Sequence, residues 1–382
     1  MIYMDCAATS WPKPEAVYEA MDSFMRHRGV NPGRSGYRLS VEASGMVYAA
    51  RGAVAEIFNV ENPQRIIFTK NATEALNMAT KGILRPGGHV ITSGLEHNSV
   101  MRPLRALEAE GVEVTVMNCT LEGLLNPLEV EKAIRKNTQL IIMTHASNAL
   151  GTVLPVEKVG QIARRHGIPF CVDTAQTAGA FPVNIPAMNA DLLAFTGHKS
   201  LLGPQGTGGL YISEKFGDTL EPLLYGGTGS LSESDYQPDF LPDKYESGTP
   251  NTVGLTGLGA GAQFVLAQGI EVIQEHEGKL RRRLLEGLES IGGVIVYGGS
   301  DNQQYIPVLS FNISGQSPAE VATQMEVSHN ILCRSGLQCA PVAHKTMGTF
   351  PGGTVRLSPG YFNTMDEVEQ VLWSVSRIAK AA

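Results

Sequence analysis

Between about residue 65 and residue 212 the chain alternates short apolar runs with amphipathic stretches, and this alternation limits the possible folds more than any other feature. "RIIFT" is followed by "ATEALNMATKGIL", and "HVITS" by "VMRPLRALEAEG" and then "VEVTVMN". "LEVEKAIRK" precedes "TQLIIMTHAS", and "VEKVGQIARRHG" precedes "IPFCVDTAQ". The runs are rich in β-branched residues and lack period-two polarity, so both faces of each strand are expected to be covered. Strands and helices alternating in this way predict an α/β fold around a parallel sheet. In such a sheet ligands bind beyond the carboxyl ends of the strands. Residues just after the apolar runs are therefore the first candidates for chemistry.

After residue 260 the pattern changes. "VIQEHEGKLRRRLLEGLESI" predicts a long charged amphipathic helix, a lever between domains. Beyond it "VIVYG", "IPVLSFNI", "ILCRSG" and "TVRLSPG" are interleaved with the helical stretches "PAEVATQMEVSHN" and "MDEVEQVLWSVSRIAKA", which predicts an α+β module with a small sheet. The 382 residues are enough for two domains. The expected division is a large unit over 13–262 and a smaller one made of 1–12 with 263–382. The stretch 226–250, rich in Gly, Ser, Asp and Pro, is expected to be a long functional loop.

Charge and apolar length narrow the function classes. A net charge of −7 and a sequence pI near 5.8 argue against a nucleic-acid partner, which needs a basic face. No apolar run reaches membrane-spanning length, so no membrane association is expected. The opening "MIYMDCAATS" lacks the basic and apolar regions of a secretory signal. The five cysteines, Cys6, Cys119, Cys171, Cys333 and Cys339, are odd in number and form no CxxC pair. A reduced, cytoplasmic setting with no metal site is the expectation.

Four positions carry the chemical argument. In "TKNATEALN" a strand end leads through a polar turn into a helix, which Asn71 or Thr73 can cap; the free N–H groups there suit an anion or a plain cap equally. Asp173 ends an apolar strand in "FCVDTAQTAGA" and could hold a protonated ring nitrogen or cap the next segment, with Gln176 facing the same pocket. His97 in "SGLEHNSV" could stack on a flat ring, pass protons, or serve structure alone. Lys199, in "TGHKSLLGPQGTGGLYI", lies between two apolar strands; partly desolvated near other positive groups, it would be a nucleophilic amine. A phosphate cradle, a ring-facing imidazole, an acid for a pyridine nitrogen and a Schiff-base amine together are what pyridoxal phosphate requires.

On "MDCAATS", "NATEALN", "LEHNS", "HASNALGT", "VDTAQTAG", "TGHKSLLGPQGTGGLYI", "ESGTPNT", "RSGLQCAP" and "VRLSPGYFNT" the chain resembles the fold-type I pyridoxal-phosphate enzymes of aminotransferase class V, in particular the cysteine desulfurases. The resemblance implies a large domain with a mostly parallel seven-stranded sheet and a smaller α+β domain that carries a catalytic thiol. It implies Lys199 as the Schiff-base lysine, Asp173 on the pyridinium nitrogen, Gln176 on the ring hydroxyl and His97 stacked on the ring. Ala72, Thr73, Thr196 and His198 would hold the phosphate. Thr252, or its neighbour Thr249, would reach the cofactor phosphate of a partner subunit in a homodimer. Asn148 and Arg356 would bind the substrate carboxylate, and Arg334 would order the thiol loop. Cys339 would take the sulfur of L-cysteine as a persulfide for transfer to an acceptor protein, leaving L-alanine. Selenocysteine lyases, acting on L-selenocysteine or related thio compounds, and class V aminotransferases share this scaffold. The short interval between Cys339 and Arg356 resembles the branch with a compact thiol loop. Two stretches depart from that branch: Tyr37 and Arg38 in "NPGRSGYRLS", and "VAHKTMGTFPGG" after Cys339.

Overall fold

The computed structural model describes residues 1–33, 36–217, 219–299 and 304–381; Arg34 and Ser35 of the "NPGRSGYRLS" segment lie outside the described residues, as do a few positions within 263–382. The strands, in chain order, begin with β1 (Ile2–Tyr3), β2 (Ile66–Thr69), β3 (His89–Ser93) and β4 (Glu113–Met117). They continue with β5 (Thr138–Thr144), β6 (Phe170–Asp173), β7 (Leu192–Thr196) and β8 (Gly208–Ile212). The last are β9 (Val294–Tyr297), β10 (Leu309–Ile313), β11 (Ile331–Leu332), β12 (Arg334–Gly336) and β13 (Thr354–Leu357).

The runs found between 65 and 212 form one seven-stranded sheet in the order β2-β8-β7-β6-β5-β3-β4. All neighbours are parallel except β8, which runs antiparallel to both β2 and β7. The missing period-two polarity has a direct cause. Ile141, Met143, Phe170, Val172, Leu193 and Phe195 pack into a core on one face. Leu140, Ile142, Cys171, Leu192 and Ala194 pack into a second core on the other. The central residues of these strands meet helices or loops rather than water on both faces, so they are apolar.

The later strands form a four-stranded antiparallel sheet in the order β12-β13-β10-β9. Here only one face has a helical cover. Leu309, Phe311 and Ile313 of β10 point into a core shared with the helices Ile270–Glu289, Pro318–His329 and Met365–Lys380. Ser310 points the other way and donates to Ala149 O at 2.7 Å, so this face looks at the large sheet. The N-terminal segment joins the smaller unit: β1 pairs in parallel with β11, and Asp5 bridges to Ser358. The helix Thr252–Gln268 lies against Glu15–His27 and Arg38–Ile57; at Gly269, φ +85°, the chain turns by 82° into Ile270–Glu289. Among the described residues no single helix is long and apolar enough to cross a membrane.

Candidate active site

The parallel strands end on one edge of the sheet, and there the candidate residues converge. Across that edge Thr69 and Thr196 are both paired with Gly208, Asp173 sits opposite Thr144, and Ser93 closes β3. A cavity of ≈ 210 Å³ opens above them, lined by Ala72, Thr73, His97, Asn148, Asp173, Gln176, Thr196, His198, Lys199, Arg334 and Arg356. Of the positions picked from the sequence, Thr252, its alternative Thr249 and Cys339 are not part of its wall.

At one end the helix Ala72–Ile83 presents its first turn. Asn71 is its N-cap, accepting from Glu74 N at 2.9 Å, while Lys70 N donates to the Glu74 carboxylate at 2.6 Å. The helix start approaches the sheet closely because Gly208 lacks a side chain: a Cβ there would sit 2.7 Å from Asn71 Cα. Thr73 Oγ1 and Ser99 Oγ are 2.7 Å apart, which links this turn to the next group.

His97 caps the helix Asn98–Ala109, with Nδ1 accepting from Ser99 N at 3.0 Å. That bond places the ring proton on Nε2. Burial, with Lys199, Arg334 and Arg356 nearby, pushes His97 down to about 4, so it is neutral at physiological pH. The preceding Glu96 is fully buried, accepts from Thr144 N and the Ser93 hydroxyl, and is pushed up to about 8 chiefly by burial.

Asp173 is 4% exposed, and its Oδ1 accepts from Ala175 N at 2.9 Å. Burial raises its pKa, against the pull of that N–H and of Lys199. Lys199 sits in the turn after β7 and is lowered from 10.5 to about 8. Burial is the main cause; Arg356 and Arg334 add to it, while Asp173 and Asp5 oppose it. About a tenth of such an amine is unprotonated at pH 7. Lys13 braces the Lys199 turn, donating to His198 O at 2.8 Å and Ser10 Oγ at 2.7 Å. The buried Nδ1 of His198 has no hydrogen-bond partner.

The small sheet supplies the opposite wall. Register puts Arg334 directly across from Arg356, and Arg356 across from Ser310, all on the face turned to the large sheet. Two like charges side by side are unfavourable unless anions compensate them. Arg356 is 0% exposed; its Nη2 bonds Asp5 Oδ1 at 2.5 Å, its Nη1 bonds Asn148 O at 3.0 Å, and its Nε has no partner. Arg334 Nη2 lies 3.2 Å from Cys339 Sγ, so the thiol hangs from a guanidinium in the cavity wall.

Cys339 is the one exposed cysteine of the five. Burial pushes the others up, Cys6 and Cys333 to about 12, Cys119 to about 11, and Cys171 well above its ordinary value, which leaves them poor nucleophiles. Thr252 is buried at the start of its helix, and Thr249 is exposed on the preceding loop. Ser99, Asp5, Glu96 and Gln338 belong to this site without having been picked from the sequence. Asp5 and Glu96 stand inside the "MDCAATS" and "LEHNS" motifs, which was the available signal; their partners are distant in the chain.

The residues fit pyridoxal phosphate on structural grounds. A buried carboxylate with a single backbone partner needs a cation, a depressed lysine faces it, and an orphaned imidazole nitrogen stands near a helix start.

Comparison with known proteins identifies the family. The family model for aminotransferase class-V matches residues 2–371. A probable cysteine desulfurase from Methanothermobacter thermautotrophicus is 38% identical over 382 residues, spanning 99% of this chain and 94% of its own. A cysteine desulfurase from Escherichia coli O157:H7 is 31% identical over 389 residues, spanning 99% and 93%. Among solved structures, the apo cysteine desulfurase of Thermococcus onnurineus NA1 superposes with a TM-score of 0.94 at 37% identity, covering 100% of this chain and 95% of that one. The chain belongs to the class-V aminotransferase family.

Proposed function

We infer that the protein is a cysteine desulfurase that converts L-cysteine to L-alanine and carries the released sulfur as a persulfide on Cys339. The observation that carries this reading is the exposed Cys339 thiol, held 3.2 Å from an arginine that lines the same cavity as Lys199. Class V enzymes use pyridoxal phosphate, and Lys199 would anchor it covalently. Asp173 would pair with its ring nitrogen, Gln176 with the ring hydroxyl, His97 would lie on its face, and Ala72, Thr73, Thr196 and His198 would hold its phosphate. When bound, the cofactor supplies an electron sink that acidifies the amino acid's α carbon and loosens its β substituent.

The chain's own groups do the rest. Arg356, with Asn148, holds the substrate carboxylate through a guanidinium fork and relieves the repulsion from Arg334. Lys199, poised near 8, takes the α proton as its unprotonated amine. Arg334 draws the Cys339 thiol toward the substrate sulfur. The Cys339 thiolate then forms a new S–S bond as the substrate's Cβ–S bond breaks. The electron pair of that bond goes to the β carbon, which gains a proton to become a methyl group, and the proton that Lys199 took is returned to the α carbon to complete alanine.

Thr249, exposed where Thr252 is buried, is the better placed of the two to reach a second subunit, and the homodimer that the family resemblance implies is part of this proposal. All five cysteines are free, which suits a reducing cytoplasm. The persulfide would pass to an acceptor protein. The test uses purified holoprotein: record the visible spectrum, add L-cysteine, and assay alanine, sulfide and protein persulfide in wild type and Cys339→Ser. Wild type is expected to form alanine with a persulfide at Cys339, and Cys339→Ser to lose cysteine turnover. Retained turnover of L-selenocysteine in Cys339→Ser, with no cysteine turnover in wild type, would shift the assignment to a selenocysteine lyase.

A further inference from the structure

The backbone that presents the thiol is unusual. Gln338 and Cys339 are consecutive non-glycine residues in the left-handed region, at φ +43° and +59°. Each such residue is disfavoured and persists only where its surroundings over-determine it. The backbone on both sides is fixed to the large sheet's loops: Asn148 Nδ2 donates to Gln338 O at 2.7 Å, and Asn98 N donates to Cys339 O at 2.8 Å.

The side chain of Gln338 points away from the cavity into the protein, 2% exposed. Its Nε2 donates to Thr354 O at 2.8 Å. A carbonyl can only accept, so this bond fixes which end of the amide is which and leaves Oε1 as an acceptor. His344 Nε2 stands 2.6 Å from that Oε1, and His344 Nδ1 stands 2.7 Å from Thr349 Oγ1. The chain of bonds has one direction: the Thr349 hydroxyl donates to His344 Nδ1, His344 Nε2–H donates to Gln338, and Gln338 donates to Thr354. His344 is fully buried, and burial with Arg356 nearby holds it down to about 4, so the neutral ring this polarity needs is the form present.

His344 and Thr349 both come from "VAHKTMGTFPGG", the stretch that follows Cys339. The segment returns through Gly353, whose φ is +78° and where a Cβ would sit 2.3 Å from Gly336 C, so the loop closes on itself just upstream of the thiol. Thr346 Oγ1 donates to Gly94 O at 2.8 Å, tying the short helix Pro341–Thr346 to the large unit.

We propose that Gln338, held by the Thr349–His344 relay, is a positioning residue for sulfur transfer: it locks Cys339 in its left-handed conformation so that Sγ stays against Arg334. The inference rests on Cys339 being the sulfur carrier. A fixed thiol also implies that the acceptor must come to the persulfide.

The test compares wild type, Gln338→Leu, His344→Phe and His344→Gln holoproteins. His344→Gln keeps an amide N–H for Gln338 and an oxygen for Thr349. Four quantities are read: kcat and KM for alanine formation from L-cysteine, the single-turnover rate of persulfide appearance at Cys339, and its alkylation rate by iodoacetamide. A displaced reactive group costs on the order of 10²-fold in rate. Gln338→Leu and His344→Phe are expected to lose roughly that factor in kcat and persulfide rate, with KM within about 2-fold, an unchanged cofactor absorption band and a changed alkylation rate. His344→Gln is expected to recover most of the rate.

If Gln338→Leu does not fold, the His344 pair decides: a Phe variant as fast as wild type, or a Gln variant as slow as the Phe variant, overturns the relay. Equal losses in kcat, substrate affinity and cofactor content would also overturn it, since they mark a packing role. If wild type accumulates no persulfide at Cys339, the carrier assignment itself falls. If wild type does and Gln338→Leu does so equally fast, only the positioning inference falls.

Discussion

The two ends of the site are built by different means. At the cofactor end, Asp173 ends one strand of the large sheet and Thr73, His97 and Lys199 each follow another within a few residues, and the order of the strands sets their spacing. At the thiol end the strand alone does not set the geometry, although β12 carries Arg334 and ends just before the thiol. Cys339 lies past the end of β12 in a left-handed turn, and side-chain hydrogen bonds from both units hold it there. A position fixed by main-chain topology survives changes in its neighbours, because moving it requires moving a strand. A position fixed by side chains is only as secure as each bond. Substitutions around the cofactor groups should therefore act locally and chemically, whereas those around the thiol should act at a distance.

The largest effect is expected at the topological end. Lys199→Ala removes both the covalent anchor and the base, and alanine formation should fall by about 10⁴-fold or more. Its fold should be intact, because the Lys199 turn is held through backbone carbonyls: His198 O accepts from Ser10 N at 3.0 Å and from Lys13 Nζ at 2.8 Å. A melting curve close to wild type alongside the lost activity is the check. The depressed pKa gives a second readout. Covalent uptake of pyridoxal 5'-phosphate by the apoprotein needs the unprotonated amine, so its rate should rise with pH and level off above about 8. An ordinary lysine would keep gaining toward 10.5. A rate still climbing at pH 10 would contradict the buried setting of this amine.

An intermediate effect is expected where the two ends meet, at the paired arginines. Arg356→Lys keeps the charge but loses the fork, and the loss of one charge-assisted hydrogen bond is worth about 1.5–3 kcal/mol. KM for L-cysteine should rise by roughly 10–100-fold, with a smaller change in kcat. Asp5→Asn should act in the same direction and less strongly, by about 5-fold, because it turns a charged partner of Arg356 Nη2 into a neutral one without emptying the position. Steady-state kinetics on the two variants orders them. An Asp5→Asn defect larger than that of Arg356→Lys would mean that the aspartate, rather than the arginine, contacts the substrate.

The same contrast explains what could be read from the sequence. The strands were legible because two-sided burial writes continuous apolar runs, and Asp173 and Lys199 could be picked because each interrupts or follows such a run. The antiparallel β8 was not separable from its parallel neighbours, since "GGLYI" is buried like them and carries no mark of direction. The facing of Arg334 and Arg356 depends on register in a small sheet whose strands lie far apart in sequence, and local pattern does not encode it. Asp5 and Ser99 gained roles from partners that only the fold brings near. The bend at Gly269 also went unread, because the uniformly apolar, glycine-rich stretch before it carries no amphipathic period to mark a helix. Cys339 was legible only through resemblance: its exposure and its arginine are tertiary facts.

The smallest effect concerns the seam between the two units and appears as stability rather than activity. Glu277, on the helix Ile270–Glu289, is 3% exposed, and its Oε2 has no hydrogen-bond partner. Burial pushes it up from 4.5 to about 8. In the unfolded chain the carboxyl ionises near 4.5, while in the fold it keeps its proton until about 8. Between those values the folded state binds more protons, so this group makes stability fall as pH rises, and the full penalty is present above about 8. Glu277→Gln removes the titration but keeps the shape. The variant should match wild type near pH 4.5 and exceed it by about 1–3 kcal/mol above pH 8. Urea unfolding at the two pH values measures the difference. A variant equally stable to wild type at both would show that the seam supplies Glu277 with a partner in solution, and the side-chain economy seen at the thiol end would then extend across the whole junction between the sheets.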